Sequence, residues 1–349
     1  MKFSVQREAL LKSLSLVSGV VERRQTLAVL SNVLFDIQGQ NLSLTATDTE
    51  VEITSHLQLA EAASENGRLT IPGKKLLDIC KSLADGSLIN FALTDNQKVQ
   101  IVSGRSRFSL ATLPANEFPN VEEGEVRASF PVLQGQLKKL IDATAFAMAQ
   151  QDVRFYLNGM LWEASEKQLR VVATDGHRLA LCDQRSDDIH VSGKIQIIVP
   201  RKGIHELARS LNQDDKAIQI VIGQNHLTAK TADYTFITKL VDGKFPDYQR
   251  VLPLAGDKLV LGSRQELKEA FNRAAILSNE KYRGVKLDLS DDTLTIRANN
   301  PEQEEAEDSV QVEYKGANLE IGFNVNYLID VTNVLSGDTV KISLSDSNS

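Results

Sequence analysis

The chain has 349 residues, 42% apolar and 24% charged, a balance ordinary for soluble globular protein and long enough for two or three domains. Its net charge of −7 excludes a surface that is cationic throughout, though not a local basic lining. Cys80 and Cys182 sit in apolar contexts without CxxC or Cys/His spacing, so buried reduced thiols are expected, with no disulfide framework, zinc site or other cofactor. No stretch approaches the roughly 18 apolar residues of a membrane span, and the start carries no apolar signal core, which points to the cytoplasm.

In chain order, a short strand over residues 2–5 precedes a helix over 7–18 with Leu10, Leu14 and Val17 on one face. A polar loop follows over 20–26. Residues 30–37 and 42–53 read as strands across a turn at 38–41. Residues 69–75 lead into a helix carrying Leu76, Leu77, Ile79 and Cys80. Strands over 88–93, 99–102 and 106–112 bring the chain to Phe118-Pro119-Asn120. A second unit starts near Val126, with a helix over 134–149. Residues 155–181 read as strand, hairpin, strand, an Asp175-Gly176 turn and a third strand. A strand over 195–198, a helix with Ile204, Leu207 and Leu211, and strands over 218–222, 227–230 and 234–240 lead to Phe245-Pro246-Asp247. A third unit starts near Lys258. Ser263 and Glu266 form a capping-box pattern ahead of a helix with Leu267, Phe271 and Ala274. A hairpin over 284–298, a strand over 319–324, a helix with Leu328, Val331 and Leu335, and a strand over 340–344 follow.

These elements recur at a fixed offset. Asp48 precedes Asp175 by 127 residues, Pro72 precedes Pro200 by 128, Pro119 precedes Pro246 by 127, and Asn300 follows Asp175 by 125. The period is too long for a solenoid and fits three copies of a domain of about 120 residues. We place the boundaries at 1–125, 126–254 and 255–349. The first two units each carry two further strands after the position of Leu344, so the period predicts roughly 20 more residues and a last sheet with unpaired edges.

A domain of about 120 residues is about 35 Å across; six in a closed ring leave a hole of about 35 Å, and three leave about 5 Å. B-form DNA is roughly 20 Å wide, so a head-to-tail dimer could encircle a duplex and one chain could not. The ends differ in charge. Unit one offers Arg105, Arg107 and Phe108 on a strand, with Lys74 and Lys75 elsewhere; unit three offers the acidic run Glu302-Gln303-Glu304-Glu305-Ala306-Glu307-Asp308. That favours unlike ends meeting. Basic residues off the helical apolar stripes (Arg7, Lys12, Lys138, Lys139, Arg201, Lys202, Arg209, Lys268, Arg273) could attract phosphates without reading bases.

The motifs Phe155-Tyr156-Leu157-Asn158-Gly159-Met160-Leu161, Thr174-Asp175-Gly176-His177-Arg178-Leu179, Phe245-Pro246-Asp247-Tyr248 and Asn299-Asn300-Pro301-Glu302-Gln303-Glu304-Glu305 closely resemble the bacterial sliding-clamp family, the beta subunits of DNA polymerase III. The resemblance runs the length of the chain. It implies an α+β fold of three tandem clamp domains, each with two helices packed on antiparallel sheets. It also implies a six-domain ring formed as a head-to-tail homodimer, with helices inside and sheets outside. Such a ring encircles duplex DNA without sequence preference, tethers the replicative polymerase as a non-catalytic processivity factor, and is opened by clamp-loader ATPases. Other polymerases, ligase and mismatch-repair proteins would dock through short motifs. By the same resemblance, the peptide cleft between units two and three maps to Leu157, Thr174, Gly176, His177, Arg178, Leu179, Pro246, Arg250, Val251, Asn324 and Tyr327. The dimer contact maps to Phe108, Ile276 and Leu277, flanked by Lys74, Arg105, Arg107, Glu302, Glu304 and Glu305. DNA contacts map to Arg24 and Gln151, with Tyr156 nearby.

Two other readings compete. Asp175 and His177 could orient a base or bind a metal, yet no nucleophile elbow, P-loop or GxGxxG accompanies them, and His190, His205 and His226 lack ligand spacing. A repeat-built scaffold that binds proteins but not DNA is the alternative.

Overall fold

The computed structural model describes residues 1–21, 27–94, 97–119, 121, 124–253 and 256–346. The first repeat runs β1 (Lys2–Gln6), α1 (Arg7–Val17), β2 (Asn32–Gln38), β3 (Asn41–Thr47), β4 (Val51–Gln58), β5 (Gly67–Pro72), α2 (Gly73–Ser82), β6 (Leu88–Thr94), β7 (Lys98–Ser103) and β8 (Ser106–Ala111). The second has the same order: β9 (Val126–Leu133), α3 (Gln134–Asp142), β10 (Gly159–Ser165), β11 (Gln168–Thr174), β12 (Leu179–Arg185), β13 (Lys194–Pro200), α4 (Arg201–Ser210), β14 (Ala217–Gly223), β15 (His226–Lys230) and β16 (Tyr234–Lys239). The third repeats it through β17 (Lys258–Ser263), α5 (Arg264–Ile276), β18 (Gly284–Ser290), β19 (Thr293–Asn299), β20 (Glu305–Tyr314), β21 (Leu319–Asn324), α6 (Val325–Val334) and β22 (Thr339–Leu344).

The described chain forms two compact units, Met1–Lys244 and Phe245–Ser349. The first holds two repeats because their sheets are joined. Strands β4 and β16 pair antiparallel from Val51↔Thr238 to Ser55↔Tyr234. This makes one eight-stranded sheet, β5-β2-β3-β4-β16-β15-β14-β9, flanked by the sheets β1-β6-β7-β8 and β12-β11-β10-β13. One apolar core spans both repeats, with Phe35, Phe91, Phe130, Trp162 and Phe236 fully buried and the α1 stripe of Leu10, Leu14 and Val17 inside it. The second unit has its own core around Leu267, Phe271, Ile296 and Val325, under the sheet β21-β18-β19-β20-β17-β22. Strand β22 ends that order and pairs with β17.

Four local readings are corrected. The single strand at 42–53 is two, because Asp48 turns the chain. Its Oδ1 accepts from the Glu50 and Val51 amides at 2.9 and 2.7 Å, and Thr47 Oγ1 donates to the Val51 carbonyl at 3.0 Å. The helix at 134–149 stops at Asp142. Thr144 Oγ1 donates to the Leu140 carbonyl at 2.8 Å, and a 3₁₀ turn, Ala145–Ala147, follows. Residues Phe155–Leu157 form another 3₁₀ turn, so the strand begins only at Gly159. The acidic run continues into β20, whose later residues alternate exposed and buried up to Tyr314. The α5 capping pattern holds through its first bond, Ser263 Oγ accepting from the Glu266 amide at 3.4 Å.

Candidate functional site

The turn joining β11 to β12 is held by side-chain bonds from both of its ends. Asp175 Oδ1 accepts from the His177 and Arg178 amides at 2.9 and 3.0 Å, and Oδ2 accepts from Arg178 Nε at 3.1 Å. Thr174 Oγ1 accepts from the Gly176 amide at 3.0 Å and donates to the Arg178 carbonyl at 2.6 Å. These bonds hold Gly176 at φ +90°, a conformation that favours glycine. Arg154 closes the turn from outside. It donates from Nη2 to the Asp175 carbonyl at 3.2 Å while clasping Asp152 through two bonds of 3.0 and 2.8 Å. That clasp, joined by the Arg154 amide, holds the Asp152 carboxyl at about 2. Arg178 reaches inward, its guanidinium 5.1 Å from the Phe146 ring centre and its Nη2 on the Phe146 carbonyl at 2.8 Å. Asp175 is therefore committed to main-chain amides and Arg178 and does not orient the His177 imidazole, contrary to what a catalytic pair needs.

The first repeat carries the same turn with other side chains. Thr49 stands where Gly176 stands, at φ +78°, and Asp48 pairs with Lys202 Nζ of α4 at 2.5 Å. In the third repeat Asn300 Oδ1 accepts from the Glu304 amide at 2.9 Å and its amide donates to Glu304 Oε2 at 2.7 Å. The shared turn is scaffold; the exposed Gly176-His177 tip belongs to the second repeat alone.

Of the cleft residues expected in the first unit, Leu157 is buried, Thr174, Arg178 and Leu179 are half-buried, and Gly176 and His177 are exposed. In the second unit Pro246, Arg250 and Val251 are exposed, and Arg250 pairs with Asp247 at 2.9 Å. Asn324 caps α6 by accepting from the Asn326 amide at 3.0 Å, and Tyr327 lies half-buried on that helix. Sequence reading missed Asp152 and Arg154, which brace the turn; the spacing Asp-Val-Arg just ahead of Phe155 was the available signal. For DNA, Gln151 is exposed and Tyr156 is half-buried with its ring edge-on to Phe155 at 5.8 Å; Arg24 lies outside the described residues.

For the chain contact, Arg105 is exposed in the turn before β8, Arg107 is exposed and Phe108 half-buried on β8, the last strand of its sheet, and Lys74 is half-buried on α2. Ile276 is 75% exposed at the end of α5, beside half-buried Leu277. Glu302 and Glu304 are exposed in the turn ahead of β20 and Glu305 is exposed as its first residue, where β19 pairs with one edge.

Several helical cations expected to meet phosphate are already engaged. Arg7 pairs with Asp85 at 2.7 Å and donates to the Cys80 carbonyl at 3.0 Å. Arg201 donates to the Met148 carbonyl at 2.9 Å, and Arg209 pairs with Glu206 at 2.7 Å while donating to the Leu16 carbonyl at 3.0 Å. Lys138 donates to the Ala208 carbonyl at 3.2 Å, and Arg273 pairs with Asp308 at 2.5 Å.

Comparison with known proteins accounts for all three repeats. Models of the N-terminal, central and C-terminal domains of the DNA polymerase III beta subunit match residues 1–122, 132–247 and 249–349. The chain belongs to the DNA polymerase III beta subunit family. The beta sliding clamp of Pseudomonas aeruginosa is 60% identical over 349 residues, which is 100% of this chain and 94% of that one. The Escherichia coli beta sliding clamp is 49% identical over 347 residues, 99% of this chain and 94% of its own length. The crystal structure of the Pseudomonas aeruginosa sliding clamp bound to griselimycin superposes with a TM-score of 0.97 over 100% of this chain and 94% of that chain, at 60% identity. Family membership makes the three-repeat α+β architecture that of a clamp, and the function it carries is that of a DNA sliding clamp.

Proposed function

We propose that this member of the beta-subunit family works as half of a ring-shaped, head-to-tail homodimer that encloses duplex DNA and holds the replicative polymerase on it. The observation that carries this reading is end-to-end kinship with beta sliding clamps at 60% identity. The joint between repeats one and two supports it. There, edge strands β4 and β16 merge two sheets into one. Strand β8 and the first half of β20 are edge strands of the same kind, one entered through Arg105 and bearing Arg107, the other entered through Glu304 and beginning at Glu305. Pairing β8 of one chain with β20 of another would extend sheets across the chain boundary, with Phe108, Ile276 and Leu277 as its apolar centre and Lys74 and Glu302 at its rim. The unlike charges would select unlike ends.

Each chain would supply three domains, 1–125, 126–254 and 255–349, in the cytoplasm. Hold on DNA would be topological. Helical cations tied to carboxylates and carbonyls offer few free charges to phosphate, so the ring can slide with little electrostatic friction. Arg24, Gln151 and Tyr156 would make the few direct contacts. Partners would dock by an extended apolar motif in a cleft made by Leu157, Thr174, Gly176, His177, Arg178 and Leu179 together with Pro246, Arg250, Val251, Asn324 and Tyr327. The replicative polymerase, a clamp-loader ATPase, other polymerases, ligase and mismatch-repair proteins are the partner classes, and the clamp itself performs no chemistry. The test is retention on nicked circular DNA. Protein loaded on circles should stay through a high-salt wash and be lost once the circle is linearised; equal loss from both forms would rule out enclosure.

A further inference from the structure

The joint inside the first unit is closed by helices as well as by strands. Helix α4 of the second repeat grips the first repeat through two cations. Lys202 Nζ lies 2.5 Å from Asp48, in the turn after β3, and Arg209 Nη2 donates to the Leu16 carbonyl at 3.0 Å, at the C-terminal end of α1. Glu206, one turn before Arg209, holds the guanidinium at 2.7 Å. That guanidinium lies over Gly19, where a Cβ would come within 1.7 Å of Arg209 Nη2 and 2.1 Å of Glu206 Oε2. Helix α1 has no cation in its own last turn, so Arg209 supplies from outside the charge that its terminal carbonyls favour.

The repeat places both halves of this joint at the two ends that would meet in the dimer. Buried Leu10, Ser13, Leu14 and Val17 of α1 match buried Leu267, Ala270, Phe271 and Ala274 of α5 one for one, which puts Ile276 in the place of Gly19. On the other side, buried Leu76 and Leu83 match Ile204 and Leu211. The Cys80 and Ala208 carbonyls likewise each accept from a cation on the first helix of their own repeat, Arg7 at 3.0 Å and Lys138 at 3.2 Å. Lys74, Asp78 and Lys81 of α2 therefore stand where Lys202, Glu206 and Arg209 stand on α4, with the same signs. On α4 these side chains are engaged. On α2, Asp78 and Lys81 are exposed, and among the described residues neither has an ion-pair partner. One pair of positions has changed together: arginine over glycine inside the chain, lysine and isoleucine at its two ends. The exposed Ile276 side chain would fill the space that a guanidinium takes, whereas a lysine brings a narrow amine on an apolar stem. Arg273, the cation in the last turn of α5, is drawn aside to Asp308 at 2.5 Å.

Resting on the head-to-tail dimer proposed above, we infer that α2 of one chain docks on the C-terminal end of α5 in a second copy, with Lys81 and Asp78 as specificity-determining residues of that contact. Lys81 lays its stem against Ile276 of the second copy and brings its amine to the last carbonyls of α5. Asp78 steadies the amine from one turn earlier, as Glu206 steadies Arg209. The helices thus add a second half to the pairing of β8 with β20, and they select by shape as well as by charge: a lysine suits an isoleucine where an arginine suits a glycine.

The experiment is a double-mutant cycle on the whole chain, read as the dimer dissociation constant by sedimentation velocity. Lys81→Glu puts a carboxylate at the carbonyl end of α5 and should raise the constant about tenfold. Ile276→Lys sets two cations together and should raise it as well. The two changes in one chain restore opposite signs, and the constant should then be at least about fivefold lower than the product of the single effects. Should Lys81→Glu fail to fold, Lys81→Ala with Ile276→Ala forms a second cycle, whose combined loss should fall short of the product. Effects that simply multiply, or an unchanged constant for Lys81→Glu, would overturn the inference and leave the dimer standing. A parent chain that stays monomeric across the whole dilution series would overturn both. A Lys81→Glu chain that dimerises like the parent but leaves circular DNA sooner would assign Lys81 to phosphate instead, and that too would overturn the contact.

Discussion

At the scale of single residues, the turn after β11 shows how one scaffold acquires a site. Asp48 and Asp175 make the same pair of bonds to amides two and three residues ahead. The first repeat spends its free carboxylate oxygen on Lys202, and the second on Arg178. Position 176 must hold φ +90°, and a Cβ there would come within 2.9 Å of the Arg154 guanidinium. Gly176→Ala should therefore cost about 1–2 kcal/mol by thermal unfolding and loosen Arg154 from the Asp175 carbonyl. An unchanged midpoint would mean the backbone is not held there. His177 carries none of the turn's side-chain bonds. His177→Ala should leave stability within about 0.5 kcal/mol yet weaken partner-peptide binding, with retention on circular DNA unaltered. A peptide affinity equal to the parent's would remove His177 from the cleft. The Asp-Gly turn could be read from sequence because its chemistry is local. The Asp152–Arg154 clasp left a local signal in its spacing, but the bond from Arg154 to the Asp175 carbonyl could not be read, since it joins positions 21 residues apart that only the fold brings together.

At the scale of elements, the β4·β16 joint makes two repeats one body, and it buries a carboxylate. Glu52 on β4 lies opposite Thr47 and Ile237, and burial alone pushes its carboxyl from the ordinary 4.5 up to about 7. The folded state then binds a proton that the unfolded chain has released. Stability from this group falls as pH rises from about 4.5 to about 7 and levels off above. Glu52→Gln should abolish that slope and, allowing for partial exposure, stabilise the unit by about 2 kcal/mol at pH 8 while changing little at pH 4.5. Parallel urea titrations at both pH values read this out, and identical pH profiles for parent and variant would refute it. The joint also explains which elements sequence reveals. Apolar stripes located α1 and α5, because periodicity records burial. The run at 42–53 looked like one strand because Thr47 and Asp48 break the chain through side-chain bonds rather than through glycine or proline. Strand β20 was read only as an acidic run, because its first half is solvent-exposed and bears the charges of an edge. Helical cations looked free because their partners, Asp85, Asp48 and the Met148 and Leu16 carbonyls, come from other elements.

At the scale of the whole molecule, the proposed ring depends on two unlike ends, and the repeat already contains a precedent for joining them. The β4·β16 joint is antiparallel and closed by main-chain bonds, which hold sheets together but do not choose partners. Choice must come from side chains, and two of the other edges carry opposite signs: Arg105 and Arg107 at the start of β8, Glu304 and Glu305 where β20 begins. Reversing either pair alone (Arg105→Glu with Arg107→Glu, or Glu304→Arg with Glu305→Arg) puts like charges at both contacts of a head-to-tail dimer. Each change should raise the dimer dissociation constant about 10- to 100-fold. Both reversals in one chain restore opposite signs at both contacts and should recover much of the lost affinity. Removing apolar area with Ile276→Ala and Leu277→Ala should also favour monomer, but no charge change elsewhere would rescue it. Sedimentation velocity across a dilution series measures all four proteins. Rescue of the double reversal identifies the two edges as direct partners. Additive weakening would instead mean that the charges act separately, and that β8 and β20 do not meet.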